Sequence, residues 1–187
     1  MQRIVVAITG ASGAIYGVKL VEALAAAGSE IHLIVSGSGA KVMGHELDLT
    51  VDDIAPRAYT CYDPGDIGAT PASGTAGLEA MVICPCSAST LATVAAGLTT
   101  NLIHRAADVM LKEGRPLIVV PRESPLHVGH LENLLKVARI GAVVLPASPG
   151  FYHRPQSLDD LVNHVVGKIC DRLGVAHKLF ERWSGAD

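Results

Sequence analysis

Residues Arg3 to Gly17 read RIVVAITGASGAIYG, and this stretch decides the architecture. Arg3–Thr9 is a short β-branched apolar run, the pattern of a strand buried on both faces. It leads into Gly10-Ala11-Ser12-Gly13, and an Ala/Leu-rich helical pattern follows over Ala14–Ala27. A strand, a glycine turn and a helix start aim several backbone N–H groups at one spot, which suits an anion such as a phosphate. The helix dipole adds only about 0.3–1 kcal/mol to holding that anion. Micromolar binding needs about 8 kcal/mol, so other parts of the chain must supply further donors.

Outward from this stretch, the chain alternates. Ile31–Val35 reads as a second buried strand ending in Ser36-Gly37-Ser38-Gly39, with a helix over Ala40–Leu47. Asp48–Ala76 is the least regular part, punctuated by Pro56, Pro64, Pro71, Gly65, Gly68 and Gly74, with any third strand near Ala58–Tyr62. Ala80–Cys84 is a strand stopped by Pro85, and Ser87–Ala96 and Leu102–Glu113 are helices. Leu117–Val120 is another strand, and Ser124–Arg139 a helix with Pro125 in its first turn, where proline is tolerated. Ala142–Leu145 is a last strand closed by Pro146, and Leu158–Leu173 an amphipathic helix. Strands alternating with helices imply an α/β fold with a mostly parallel sheet and helices on both faces. The expectation is a single α/β domain over residues 1–187, with no internal repeat or linker.

Composition narrows the class. Of 187 residues 49% are hydrophobic, and the mean hydropathy is +0.36, high for a globular chain. Yet no run reaches the ~18 apolar residues of a membrane span, and the N-terminus enters a strand directly without a leader pattern. A cytoplasmic protein that hides surplus apolar surface between subunits is the simplest expectation. The net charge of −3 and pI near 6.2 give no reason to expect nucleic acid or an anionic membrane. Cys61, Cys84, Cys86 and Cys170 match neither a zinc pattern nor a C-x-x-C redox pair, and read as inert thiols.

Ligands of parallel sheets bind beyond the carboxyl ends of the strands. Gly10–Gly13, Ser36, Ser87–Thr90 and Arg122 all follow strands and should converge there. Gly10, Gly13 and Gly17 are spaced G-x-x-G-x-x-x-G, not the G-x-G-x-x-G of dinucleotide sites, and no carboxylate follows the second strand. No Gly-Lys-Ser/Thr makes a P-loop, and the turn does not fit a G-x-S-x-G nucleophile elbow. What survives is a site of hydroxyls and amides for a mononucleotide phosphate and heterocycle, with FMN the best fit, or else a tight turn without ligand. Ser87 at a helix start is ordinarily a cap, but Ser87, Ser89 and Thr90 exceed what one cap needs. Arg105, Asp108, Lys112 and Glu113 fall at helical spacing, and such residues are ordinarily surface ion pairs. Arg122-Glu123 differs, since a charged pair at the mouth of a buried strand is costly unless used. His127-x-x-His130 puts two imidazoles on one helix face but lacks the glutamate of a metalloprotease motif.

Five segments together resemble the UbiX-type flavin prenyltransferases, a family earlier described as aromatic acid decarboxylases: GASGAIYG (10–17), PCSxxT (85–90), NLIHRAADVMLKE (101–113), PRESPLHxGHLENL (121–134) and PGFYHRPQSLDDLV (149–162). The similarity runs from residue 3 to the region of Trp183. It implies a flavodoxin-like three-layer domain that binds reduced FMN and dimethylallyl monophosphate, uses no metal, and alkylates the flavin at N5 before closing a ring at C6. The prenylated flavin would serve a UbiD-type decarboxylase, and the assembly would be a homododecamer with sites shared between subunits. Carried over by position, Gly10, Ala11, Ser12, Ser36, Ser87, Ala88, Ser89, Thr90 and Arg122 would contact FMN. Tyr152 and Lys168 would hold the allylic phosphate, with Lys112, Ser73 and Gly74 assisting. Glu123 and Ser12 would move protons, and Trp183 would wall the prenyl pocket. Three positions depart from the family pattern: Ser89 stands where lysine or asparagine is frequent, Gly114 where arginine is common, and Lys168 where arginine is frequent, keeping the charge but not the bidentate fork. Two rival classes are a flavin-dependent cysteine decarboxylase, expected to carry P-x-M-N-x-x-M-W where this chain has PCSAST, and a flavodoxin-like electron carrier. A carrier would be more acidic and richer in aromatics than the 4% found here.

Overall fold

The computed structural model describes residues 1–183 and Gly185. β1 (Arg3–Ile8), β2 (Glu30–Val35), β4 (Ala80–Cys86) and β5 (Leu117–Pro121) are buried along nearly their whole length. The edge strands β3 (Thr60–Tyr62) and β6 (Val143–Val144) are shorter and more open. Among the described residues these form one six-stranded sheet in the order β3-β2-β1-β4-β5-β6, every pair parallel. That is the doubly wound order, with the switch in direction between β1 and β4.

The helices are α1 (Ala14–Ala26), α2 (Gly37–Leu47), the single turn α3 (Val51–Ile54), α4 (Ala88–Ala95), α5 (Leu102–Lys112), α6 (Val128–Arg139) and α7 (Leu158–Leu173). Side chains alternate across β1, so Ile4, Val6 and Ile8 meet Leu20 and Leu24 of α1 and Val166 and Ile169 of α7 on one face. Val5 and Ala7 meet Leu91 of α4 and Ile103 and Met110 of α5 on the other. The expected three layers are therefore present. Gly17 has a packing role: a Cβ there would strike the Cys84 carbonyl and lie 2.9 Å from Ile8 Cγ1, so glycine lets α1 lie directly on the sheet.

Several boundaries differ from the sequence reading. α2 begins at Gly37 rather than Ala40, because Ser36 Oγ accepts the Gly39 N–H at 3.0 Å and offsets the low helix propensity of two glycines. β4 continues through Pro85 to Cys86. The proline has no N–H for the ladder, so the register with β5 shifts between Ile83 and Cys86. The Pro85 carbonyl is nonetheless used, accepting both the Thr9 N–H and the Thr9 hydroxyl. α6 starts at Val128, not Ser124, which leaves Pro125 outside the helix. The ring of Pro125 disfavours a helical Ser124, and His127 becomes the extended N-cap instead. Cys84, Cys86 and Cys170 are buried and unpaired. Burial pushes the Cys86 thiol up to about 12 and the Cys170 thiol up to about 11, so neither is a thiolate at neutral pH.

One tertiary contact ties α2 to the glycine turn. The Glu46 carboxylate accepts the Gly13 N–H and the Ala14 N–H, each at 2.9 Å to Oε2, on the first amides of α1. Partial burial by itself would raise the Glu46 pKa. The Ser12 hydroxyl, the two amides and the Arg122 charge outweigh it and hold the carboxyl below its ordinary value. A carboxyl lowered in this way stabilises the fold above its unfolded pKa, about 4.3, and loses that contribution as pH falls through the folded value. Glu46→Gln is therefore expected to cost about 1 kcal/mol at pH 7, allowing for solvent screening. Urea unfolding should show the difference closing in strong acid, and a difference independent of pH would contradict this role.

Candidate functional site

Four strand ends are stitched together at the carboxyl edge of the sheet. The Ser36 N–H donates to the Ile8 carbonyl at 3.0 Å, joining the ends of β2 and β1. The Ser87 N–H donates to Thr9 Oγ1 at 2.8 Å, which joins β4 to β1. Arg122 Nε, just past β5, donates to the Ser12 carbonyl at 2.8 Å. These bonds bring Gly10, Ala11, Ser12, Ser36, Ser87, Ala88, Ser89, Thr90 and Arg122 to one edge, as the parallel-sheet reading expects. Gly10 must be glycine for reasons of space, because a Cβ would lie 2.5 Å from Ser38 Cβ.

Three helix starts face this edge, and they are not equivalent. The Gly13 and Ala14 amides of α1, expected to face a phosphate, hold Glu46 instead. In α2 and α4 the caps Ser36 and Ser87 take only the Gly39 and Thr90 N–H groups. The first-turn N–H groups of Gly37, Ser38, Ala88 and Ser89 have no protein acceptor among the described residues. Both terminal nitrogens of Arg122 likewise lack a protein acceptor, while Nε pins its orientation. Ser87 is thus a cap, as the plain reading had it, and its hydroxyl also donates to Thr90 Oγ1 at 3.0 Å. Four amides and a guanidinium fork on a glycine-lined edge are the donor set a mononucleotide phosphate needs, so these residues fit FMN. Glu123 is exposed at the same strand end, its Oε1 accepting the Ser124 N–H at 3.0 Å.

A second group gathers around α7. The Tyr152 ring lies edge-on to Trp183 at 5.9 Å between centroids and edge-on to His164 at 5.5 Å. His164 stands one turn before Lys168, so Tyr152 and Trp183 pack on the same side of α7 that carries Lys168. The remaining expected residues are elsewhere. Lys112 ends α5, pairs with Glu113 at 2.9 Å, and lies at the amino edge of the sheet, where β5 begins. Ser73 and Gly74 join it there: the Gly74 carbonyl accepts from Arg115, and a Cβ on Gly74 would collide with Glu113. Within one chain, then, Lys112, Ser73 and Gly74 do not meet the Arg122 edge. Arg105 and Asp108 form an ordinary half-exposed ion pair at 2.9 Å. The His127 and His130 rings stack at 3.6 Å, and no group of three or more potential metal ligands occurs among the described residues.

Two residues were not singled out from sequence. Glu46 closes the α1 start and His164 contacts Tyr152, and both roles depend on partners more than ten positions away. The only local sign is that His164 precedes Lys168 by four residues on an amphipathic helix.

Comparison with known proteins agrees with this geometry. The family model for flavoproteins matches residues 1–170. The flavin prenyltransferase UbiX of Methanothermobacter thermautotrophicus is 43% identical over 187 residues, covering 100% of this chain and 98% of the relative. A crystal structure of AnUbiX (PadA1) in complex with FMN and dimethylallyl pyrophosphate superposes with a TM-score of 0.97 at 40% identity, covering 100% and 99% of the two chains. A dodecameric FMN-dependent UbiX-like decarboxylase from Escherichia coli O157:H7 superposes with a TM-score of 0.96 at 41% identity, covering 98% and 100%. With the family model and a full-length relative in agreement, the chain belongs to the flavoprotein family and, within it, to the UbiX-type flavin prenyltransferases.

Proposed function

We propose that this chain transfers a dimethylallyl group from dimethylallyl monophosphate to N5 and C6 of reduced FMN, making prenylated FMN for a UbiD-type decarboxylase. The observation that carries the reading is the carboxyl edge, where two serine-capped helix starts and the Arg122 fork present donors that have no acceptor among the described residues, a set that suits a phosphate. A single helix start contributes about 0.3–1 kcal/mol, whereas hydrogen bonds to a charged group contribute about 1.5–3 kcal/mol each. Several such bonds together reach the ~8 kcal/mol of micromolar binding, and the glycine turn alone would not.

When bound, reduced FMN supplies the electron-rich ring that accepts the prenyl carbon. The protein's part is electrostatic and positional. Breaking the allylic C–O bond leaves negative charge on the departing phosphate, which Lys168, Arg122, Lys112 and the Tyr152 hydroxyl would stabilise. Ser73 and Gly74 would assist at that phosphate, and Trp183, already against Tyr152, would wall the prenyl pocket. Glu123 is exposed at the flavin edge and would take the proton lost on ring closure, with Ser12 helping to relay it.

Lys112, Ser73 and Gly74 reach the flavin edge only from another copy, so we place the active site in a homododecamer like that of the Escherichia coli relative. Val128, Leu131 and Leu135 on α6, with Leu126 and Ile140 flanking it, are large, apolar and exposed in one chain, which fits burial between subunits. We take residues 1–187 as a single FMN-binding domain. No helix among the described residues is long and apolar enough to cross a membrane, and we place the protein in the cytoplasm.

Arg122→Ala should weaken FMN binding about 10–100-fold in a fluorescence titration, the loss expected for charge-assisted hydrogen bonds. Lys168→Ala should raise KM for the allylic phosphate and lower kcat, while Glu123→Gln should lower kcat by about 100-fold or more with KM little changed. Product formation untouched by both of the last two substitutions would overturn the transferase reading.

A further inference from the structure

Tyr152 is not a free phenol. Its oxygen lies 3.2 Å from His164 Nε2, and Nδ1 of the same ring lies 3.1 Å from the Gly150 N–H. A backbone amide can only donate, so Nδ1 must accept. The ring is therefore neutral with its proton on Nε2, and that proton goes to the Tyr152 oxygen. With its oxygen engaged as an acceptor, the Tyr152 hydroxyl turns its own hydrogen away from His164.

The environment holds this tautomer. His164 is 7% exposed, its ring stacked on His153 at 5.0 Å and 3° and tilted against Phe180 at 5.0 Å. Burial, then His153, then Lys168 each disfavour an imidazolium and keep the His164 pKa below the ordinary value. The groups around it are Tyr152 and His153 from the connection before α7, Lys168 from α7 itself, and the apolar Phe180 from the C-terminal segment. Trp183 touches Tyr152 on another edge and offers the hydroxyl no acceptor. Lys168, four residues beyond His164, shares its side of α7. One helix therefore sets both groups expected at the allylic phosphate: Lys168 directly, and Tyr152 through His164.

We propose that His164 is a positioning residue for prenyl transfer: by donating from Nε2 to the Tyr152 oxygen, it commits the Tyr152 hydroxyl hydrogen to the phosphate of the allylic substrate. This rests on the transferase reading. No proton changes owner. The N–H donor polarises the phenol and makes it a stronger donor as charge develops on the departing phosphate. A histidine that merely fills the space beside α7 would need no such direction in its hydrogen bonds.

The test is a double-mutant cycle of His164→Leu and Tyr152→Phe, reading kcat/KM for dimethylallyl monophosphate with FMN affinity and circular dichroism as checks on the fold. His164→Leu is expected to lose about tenfold in the native background and less than twofold in Tyr152→Phe. His164→Gln, which keeps an N–H donor, should recover most of the loss. Nitrogen-15 NMR of histidine-labelled native protein should show His164 neutral with its proton on Nε2. Equal losses in both backgrounds, a glutamine variant no better than leucine, or a His164 proton on Nδ1 would each overturn the role. Native protein that transfers no prenyl group would instead overturn the transferase reading, and the NMR result would stand apart from it.

Discussion

A carboxylate on the first amides of α1 decides how the rest of the functional edge is used. A parallel sheet delivers helix starts to one edge, each with partial positive charge and unpaired N–H groups. In this chain α1, α2 and α4 all begin there, and Glu46 satisfies the first of them from within the protein. The glycine turn is thereby tied to α2, while the first amides of α2 and α4 have no acceptor among the described residues. Arg122 lies between the two uses: its Nε holds the Ser12 carbonyl and its charge helps keep Glu46 ionised. Loss of Glu46 would free the Gly13 and Ala14 N–H groups and open a competing seat for phosphate at the start of α1.

The same edge explains why so few charges suffice. In the single chain the cationic groups are divided among three places: Arg122 at the strand ends, Lys168 on α7 and Lys112 at the far edge of the sheet. Assembly of several copies is the natural way to bring such groups around one leaving phosphate and to exclude water from it. Low local dielectric then raises the worth of each contact. The apolar outer face of α6 and the division of the polar residues both fit the proposed assembly of this chain with copies of itself.

Much of this was legible in the residues. β1, β2 and β4 stand out because burial on both faces requires mostly apolar runs, with His32 the one polar residue inside the Ile31–Val35 run, and α7 because its apolar stripe recurs at helical spacing after Ser157, the residue that caps it. The convergence of Ser36, Ser87 and Arg122 follows from the rule that parallel strands end together. The start of α2 was hidden because glycine propensity and a serine cap differ by no more than about 1 kcal/mol and oppose each other. The seat of Glu46 and the tautomer of His164 depend on partners 32 and 14 positions away, which no local pattern encodes. Lys112, Ser73 and Gly74 were placed at the site by resemblance alone, and within one chain they lie at the opposite edge of the sheet from Arg122, a separation that residue types do not encode.

Anaerobic incubation of the native protein with reduced FMN and dimethylallyl monophosphate, followed by mass spectrometry of the flavin released on denaturation, is the most direct measurement. A flavin heavier by one five-carbon prenyl unit is the expected result. Unmodified FMN, recovered from protein shown to bind it, would contradict the assignment of prenyl transfer to this edge.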